Sequence, residues 1–198
     1  MTSLKLPINT DLLTLRPFKR SDAEAVASYI CLADAQRYVD GVMRNKRDVA
    51  AAVAAMCEQV NLQRPGDIFT LAIVKAGEEA VIGHVSLRWS DATAGQGELT
   101  FILHPRYVGQ GLATQAITSV LDIAFDHFHI HRVFARCDGR NHHSAKLFEK
   151  MGMRLEAHYR EHALFQGEWD EELHFAILDR EWRPSSKVHQ IPRQNRVA

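Results

Sequence analysis

The 198-residue sequence has no excess of either charge: 24 Lys and Arg balance 24 Asp and Glu. A general nucleic-acid surface needs a basic excess on at least one face, so it is not expected, and only a local basic patch stays open. Cysteine is scarce. Cys31, Cys57 and Cys137 lie far apart, are odd in number and form no Cys-x-x-Cys. Neither a disulfide framework nor a cysteine zinc site is expected. The three read as small reduced core residues, which fits a cytoplasmic chain. No apolar run of signal length follows Met1-Thr2-Ser3-Leu4-Lys5. No stretch approaches the roughly 20 apolar residues of a membrane span. The expectation is a soluble, cytoplasmic protein with neither nucleic acid nor membrane as a partner.

Hydrophobic residues make up 46% of the chain, enough for a full core. Residues 11–16 read as a strand stopped by Pro17. Ser21-Asp22-Ala23-Glu24 has capping-box spacing, which predicts a helix to about Ile30. Residues 48–62 place Val49, Ala52, Val53, Met56 and Val60 at helical spacing. Strands are predicted over 68–74, 80–89 and 98–103. After a Gly-rich loop, Leu112, Ala116, Ile117, Val120, Leu121, Ala124 and Phe125 form one helical stripe. A strand over 132–137, a short helix over 141–151 ended by Gly152, and two strands near 154–165 and 169–178 complete the order. Short turns between the central strands argue for antiparallel pairing, and the passage from Glu98 to Cys137 argues for one parallel crossover. The predicted fold is α/β of the α+β type, a mixed, mostly antiparallel central sheet flanked by helices. Residues 1–182 are expected to form one domain. Residues 183–198, with four basic residues and no acidic ones, read as a mobile tail.

Residues 106–114 are the most informative segment. A Gly-x-Gly loop between strand and helix exposes backbone N–H groups at a helix N-terminus, an anion site suited to a pyrophosphate. A Walker A loop would need Lys after Gly111, and a dinucleotide fingerprint would need glycine where Thr114 stands. Taken alone, the loop is also consistent with a tight strand–helix turn. Arg106-x-x-Gly109-x-Gly111-Leu112-Ala113-Thr114 resembles the acetyl-CoA pyrophosphate loop of the GNAT superfamily of N-acetyltransferases. Asn141-His142-His143-Ser144, continuing to Glu149-Lys150-Met151-Gly152-Met153, resembles that superfamily's second block. The likeness covers residues 10–182. Arg160-Glu161-His162 and Gly167-Glu168-Trp169-Asp170 are similar to the branch holding the ribosomal-protein alanine and serine N-acetyltransferases, which also holds enzymes acting on other amines.

The resemblance implies the GNAT acyl-CoA N-acyltransferase fold, acetyl-CoA as co-substrate and a homodimer. It implies direct transfer of acetyl to a primary amine, with no metal. The acceptor would be a protein N-terminal α-amine or a small molecule such as a polyamine, amino acid or aminoglycoside. The pyrophosphate would sit on Gly109, Gln110, Gly111, Leu112, Ala113 and Thr114, with Arg106 opening the motif. The pantetheine arm would bond to backbone of Leu99, Phe101, Ile102 and Leu103 where that strand splays from its neighbour, and to Asn141, which could also cap its helix. A backbone N–H there would stabilise the oxyanion. Glu98 stands where the family carries a water-relaying carboxylate, or is an ordinary strand-end Glu. His84 shares a strand face with Ser86 and Arg88 and could line the acceptor pocket or be a plain hydrogen-bonded His. Many members place a Tyr acid where this chain has Phe148, which has no proton to give. Ser144 is the substitute acid, or a first-turn serine. Glu161, two residues from the Ala163 position of a downstream base, is a second candidate. The absent Tyr also leaves open a module that binds acyl-CoA without turnover.

Two further patterns compete. His158-x-x-Glu161-His162 matches an inverted zinc-protease motif, but that motif needs a helix and this segment reads as strand. His127, His129 and His131 alternate near a helix end and read as a solvated terminus rather than a metal patch.

Overall fold

A computed structural model describes residues 4–32, 46–165 and 167–186. Its eight strands are β1 (Ile8–Asn9), β2 (Leu13–Arg16), β3 (Ile68–Lys75), β4 (Val81–Asp91), β5 (Gln96–Leu103), β6 (Arg132–Asp138), β7 (Arg154–Phe165) and β8 (Glu168–Leu178). The helices are α1 (Ala23–Ile30), α2 (Lys46–Glu58), α3 (Leu112–Asp122), α4 (His142–Lys150) and α5 (Asp179–Ser186). The strands form one sheet in the order β1-β2-β3-β4-β5-β6-β8-β7. Every neighbouring pair is antiparallel except β5 and β6, which α3 joins in parallel.

That parallel pair is short. Gln96, Glu98 and the glycine between them pair with Arg132, Phe134 and the valine between them, and the register ends there. Beyond Glu98, β5 keeps its antiparallel partner β4 as far as Leu103. β6 keeps β8 as far as Asp138. The sheet therefore divides in its middle, and residues 99–103 turn one edge toward the gap.

Strand alternation sorts the core onto two faces. Leu71, Ile73, Val85, Leu87 and Leu99 pack with the α3 stripe, Phe148 and Trp182. Ala72, Val74 and Val81 pack with Val26, Tyr29 and Ile30 of α1 and Val49 and Val53 of α2. The predicted α3 stripe is buried throughout, and a π-helical turn, Ile123–His127, extends it.

Some expectations needed correcting. The capping box of Ser21 and Glu24 does not form. A 3₁₀ turn, Arg20–Asp22, precedes α1. Asp22 organises it, accepting the Lys19 N–H at 2.7 Å and two Arg16 nitrogens at 2.8 Å. A buried carboxylate with a fixed guanidinium outcompetes an exposed serine for the helix start. The cysteines are not core residues: Cys31 is exposed, and Cys57 and Cys137 are half-buried. α5 carries regular structure to Ser186, four residues past the expected domain end. The rest of the expected tail lies outside the described residues.

Candidate functional site

The gap between β5 and β6 opens into a cavity of about 1050 Å³. Its walls come from β4, β5, β6 and β8, from α2, from the Gly-rich loop and from the first turns of α3 and α4. In the loop, Gly109 has φ 81° and Gly111 φ 79°. These left-handed conformations suit glycine, which has no side chain to block a ligand's approach to the backbone. The first-turn N–H groups of α3, from Leu112 on, lack intrahelical acceptors and add the helix's partial positive charge. Lys146 and Lys150 of α4 line the same cavity, and Lys150 Nζ reaches Thr114 Oγ1 at 3.5 Å. This donor set suits a polyphosphate.

Arg106 and Gln110 are not among the lining residues. They brace the loop from outside: the Arg106 carbonyl accepts the Gln110 side-chain amide at 3.0 Å, and the Arg106 N–H donates to His104 Nδ1 at 3.1 Å.

Carboxylates gather on the sheet side. Glu98, only 9% exposed, accepts from Arg136 Nε at 2.9 Å and is paired with Arg136 Nη2 at 2.8 Å. Arg136 also approaches Glu172 Oε2 at 3.4 Å. Asp138 and Asp170 line the cavity, and Arg140 Nη2 lies 2.7 Å from Asp138 and 3.7 Å from Asp170. Arg140 clasps Asp138 at 2.7 and 2.9 Å. Burial and the Asp138 carboxyl push Asp170 above its ordinary range. Burial and the adjacent Asp138 and Glu172 push the Cys137 thiol up to about 12, so it is a neutral wall group.

Residues 13–154 match the family model described as the acetyltransferase (GNAT) domain. The chain belongs to the GNAT acetyltransferase family. The uncharacterized N-acetyltransferase YnaD of Bacillus subtilis is 26% identical over 88% of this chain and 98% of its own. The ribosomal protein uS5 alanine N-acetyltransferase of Escherichia coli is 22% identical over 91% of this chain and 94% of its own. A GNAT-family acetyltransferase from Bacillus anthracis superposes with a TM-score of 0.76 at 26% identity, covering 89% of this chain and all of that one. This GNAT is an acetyl-CoA-dependent N-acetyltransferase, and its mixed sheet with flanking helices is the family's fold.

Of the residues singled out in sequence, this GNAT brings His84, Glu98, Leu99, Phe101, Ile102, Leu103, Gly109, Gly111, Leu112, Ala113, Thr114, Asn141 and Ser144 to one cavity. Asn141 does cap α4: its Oδ1 accepts the Ser144 N–H at 3.1 Å. Phe148 is a buried ring set edge-on to Phe101 with centroids 5.9 Å apart. Glu161 stands apart. It is exposed, has φ 50°, and lies in a bulge between Tyr159 and Ala163 that breaks the alternation on which its assignment rested.

The His-x-x-Glu-His segment is strand, with His158 Nε2 2.7 Å from Glu171 and the His162 ring against Tyr159. His127 packs on Phe128, and His129 and His131 are exposed. No helix among the described residues is long and apolar enough to cross a membrane. Sequence reasoning missed Lys146, Lys150, Arg136, Asp170 and Tyr29. The two lysines stand four residues apart on one helix, a same-face spacing that the sequence shows; the others meet the site only through tertiary pairing.

Proposed function

We propose that this GNAT acetylates a protein N-terminal α-amine of the ribosomal-protein type by direct transfer, without an acyl-enzyme. The carrying observation is that one cavity joins the Gly109–Gly111 loop, the divided β5 edge and the carboxylates around Glu98. The E. coli relative named for a ribosomal-protein alanine, aligned over nearly the whole chain, supports that choice of acceptor.

Backbone N–H groups from Gly109 to Thr114, with Lys146 and Lys150, hold the pyrophosphate. The freed edge over residues 99–103 aligns the pantetheine arm and supplies an N–H to the oxyanion. The neutral amine attacks the thioester carbonyl, and the carbon–sulfur bond breaks. Glu98 relays the amine's proton through water, and Ser144 gives a proton to the leaving thiolate. An α-amine with a pKa of about 7.7–8.0 is roughly a fifth neutral near pH ~7.3, whereas a lysine at about 10.4 is about a thousandth neutral. A carboxylate already engaged by Arg136 suits the less demanding amine.

The test is acetyl-CoA-dependent thiol release across peptides with free Ala or Ser termini, the same peptides blocked but carrying Lys, polyamines and aminoglycosides. Turnover confined to the free termini supports this reading. Turnover confined to small amines transfers the assignment to metabolite or antibiotic modification.

A further inference from the structure

Tyr29 and His84 form a buried pair that the transfer chemistry does not use. Tyr29, on α1, has no exposed surface, and its hydroxyl lies 2.9 Å from His84 Nδ1. A buried phenol needs an acceptor, and among the described residues Nδ1 is the partner this one has. The Tyr29 O–H therefore donates to Nδ1, and the imidazole proton resides on Nε2. The reverse arrangement would leave the phenol proton buried without an acceptor. Phe18 and Tyr29 hold the ring on two sides, with centroids 6.0 and 5.9 Å away.

The Nε2 side is open. His84 is 7% exposed and lines the cavity. Tyr29 occupies Nδ1, so of the two ring nitrogens Nε2 is the one left to face the cavity, and among the described residues no hydrogen bond engages it. Burial also drives the His84 pKa down to about 4, so near neutral pH the ring is an uncharged donor that does not repel a cationic amine.

The location says what it would meet. His84 is paired with Ile102, four residues along β5 from Glu98, so both side chains stand on the α1–α2 face of the sheet. The separation along the strand is about 13 Å at ~3.3 Å per residue. A molecule whose amine reaches Glu98 meets His84 with a part beyond its first residue.

We propose that His84, held in its Nε2–H tautomer by Tyr29, donates a hydrogen bond to an oxygen of the acceptor and so selects amines with a carbonyl-bearing chain, as in a peptide, over alkyl polyamines. A peptide supplies a backbone carbonyl at that reach. An alkyl polyamine supplies none and leaves the donor unpaired, and such a mismatch rejects a ligand strongly. This rests on the amine-acceptor reading above. Tyr29 is a positioning residue and His84 a specificity residue.

The experiment compares a free-terminus tetrapeptide with an alkyl diamine of equal length in wild type, His84→Leu, His84→Gln and Tyr29→Phe, with acetyl-CoA affinity measured by calorimetry. The wild type should favour the peptide in kcat/KM. His84→Leu should cut the peptide-to-diamine ratio by about tenfold or more, through the peptide KM. His84→Gln, which keeps an N–H donor, should recover part of it. Tyr29→Phe should lower the ratio by a few fold and carries the test if His84→Leu does not fold. Equal losses on both acceptors, or a loss that follows acetyl-CoA affinity, overturn the assignment. A ratio unmoved in every variant, with wild-type thiol release intact, overturns this proposal alone. No wild-type release on any amine overturns the acceptor reading beneath it.

Discussion

Arg136 closes on Glu98 through two nitrogens, at 2.8 and 2.9 Å, across the point where β5 and β6 part. The same guanidinium faces Glu172. Removing it with Arg136→Met leaves a nearly buried carboxylate without its cation. Arg136 is itself 37% exposed, so the cost is discounted to about 2 kcal/mol of folding stability, read by urea denaturation. Glu98→Gln keeps the hydrogen-bond acceptor and should cost less stability. It should lower kcat by about 10²-fold if the carboxylate moves the proton. Unchanged kcat would remove Glu98 from the reaction.

The His84 pair makes stability depend on pH. Folding lowers this imidazole from its ordinary 6.5 to about 4, because burial opposes its charge. Above 6.5 neither state binds the proton and the contribution is whole. As pH falls toward 4, the unfolded chain takes up a proton that the folded chain refuses, and stability is lost. The loss approaches roughly 3 kcal/mol by about pH 4. Asp22 acts in a lower window. Burial alone would raise its pKa, but Arg16 and the Lys19 N–H outweigh that and hold it below 3.8. Urea titrations at stepped pH should show the upper slope in wild type and a flatter one in His84→Gln.

At the loop, Gly109→Ala and Gly109→Asp separate backbone strain from charge. A Cβ at Gly109 would meet nothing within 4 Å, so only the positive φ of 81° resists substitution. Gly109→Ala should cost about 1 kcal/mol of stability. Gly109→Asp adds a negative charge beside the proposed pyrophosphate site and should weaken acetyl-CoA binding by a further tenfold or more, about 1.4 kcal/mol. Equal affinity of the two variants by calorimetry would refute the loop assignment.

The first turn of α4 separates cap from catalyst. Asn141 Oδ1 takes the Ser144 backbone N–H, so Ser144→Ala leaves the cap intact. Its melting temperature should stay near wild type while kcat falls. Asn141→Ala removes the cap and should cost about 1 kcal/mol. A Ser144→Ala enzyme with full kcat would end its role as the acid.

Local patterns made most of the fold legible. The long strands fell within about two residues of their bounds because alternation reports the buried face directly. The Leu112-to-Phe125 stripe fixed α3 for the same reason. Two-residue β1 is too short to carry a pattern. The Tyr159-to-Ala163 bulge could not be seen, because a bulge depends on the partner strand's register. The site divided likewise. The loop and the Asn141–Ser144 turn are contiguous and readable. Arg136 with Glu98 and Tyr29 with His84 are 38 and 55 residues apart, and no periodicity connects them.

The divided sheet gives this fold an interior fault line. Three residue pairs join its two halves, and past them the edge of residues 99–103 turned away from β4 faces a gap instead of a neighbouring strand. In the proposed binding mode, a cofactor arm lying there would act as a guest strand and restore the missing ladder. Hydrogen exchange over the amides of that edge should then slow when the nucleotide thioester is added. The melting temperature should climb with its concentration, because a ligand that binds only the folded state draws the folding equilibrium toward itself. Half-filled with acetyl-CoA, the protein would be harder to unfold by RT ln 2, about 0.4 kcal/mol, so its cofactor load is written into the strength of its own sheet.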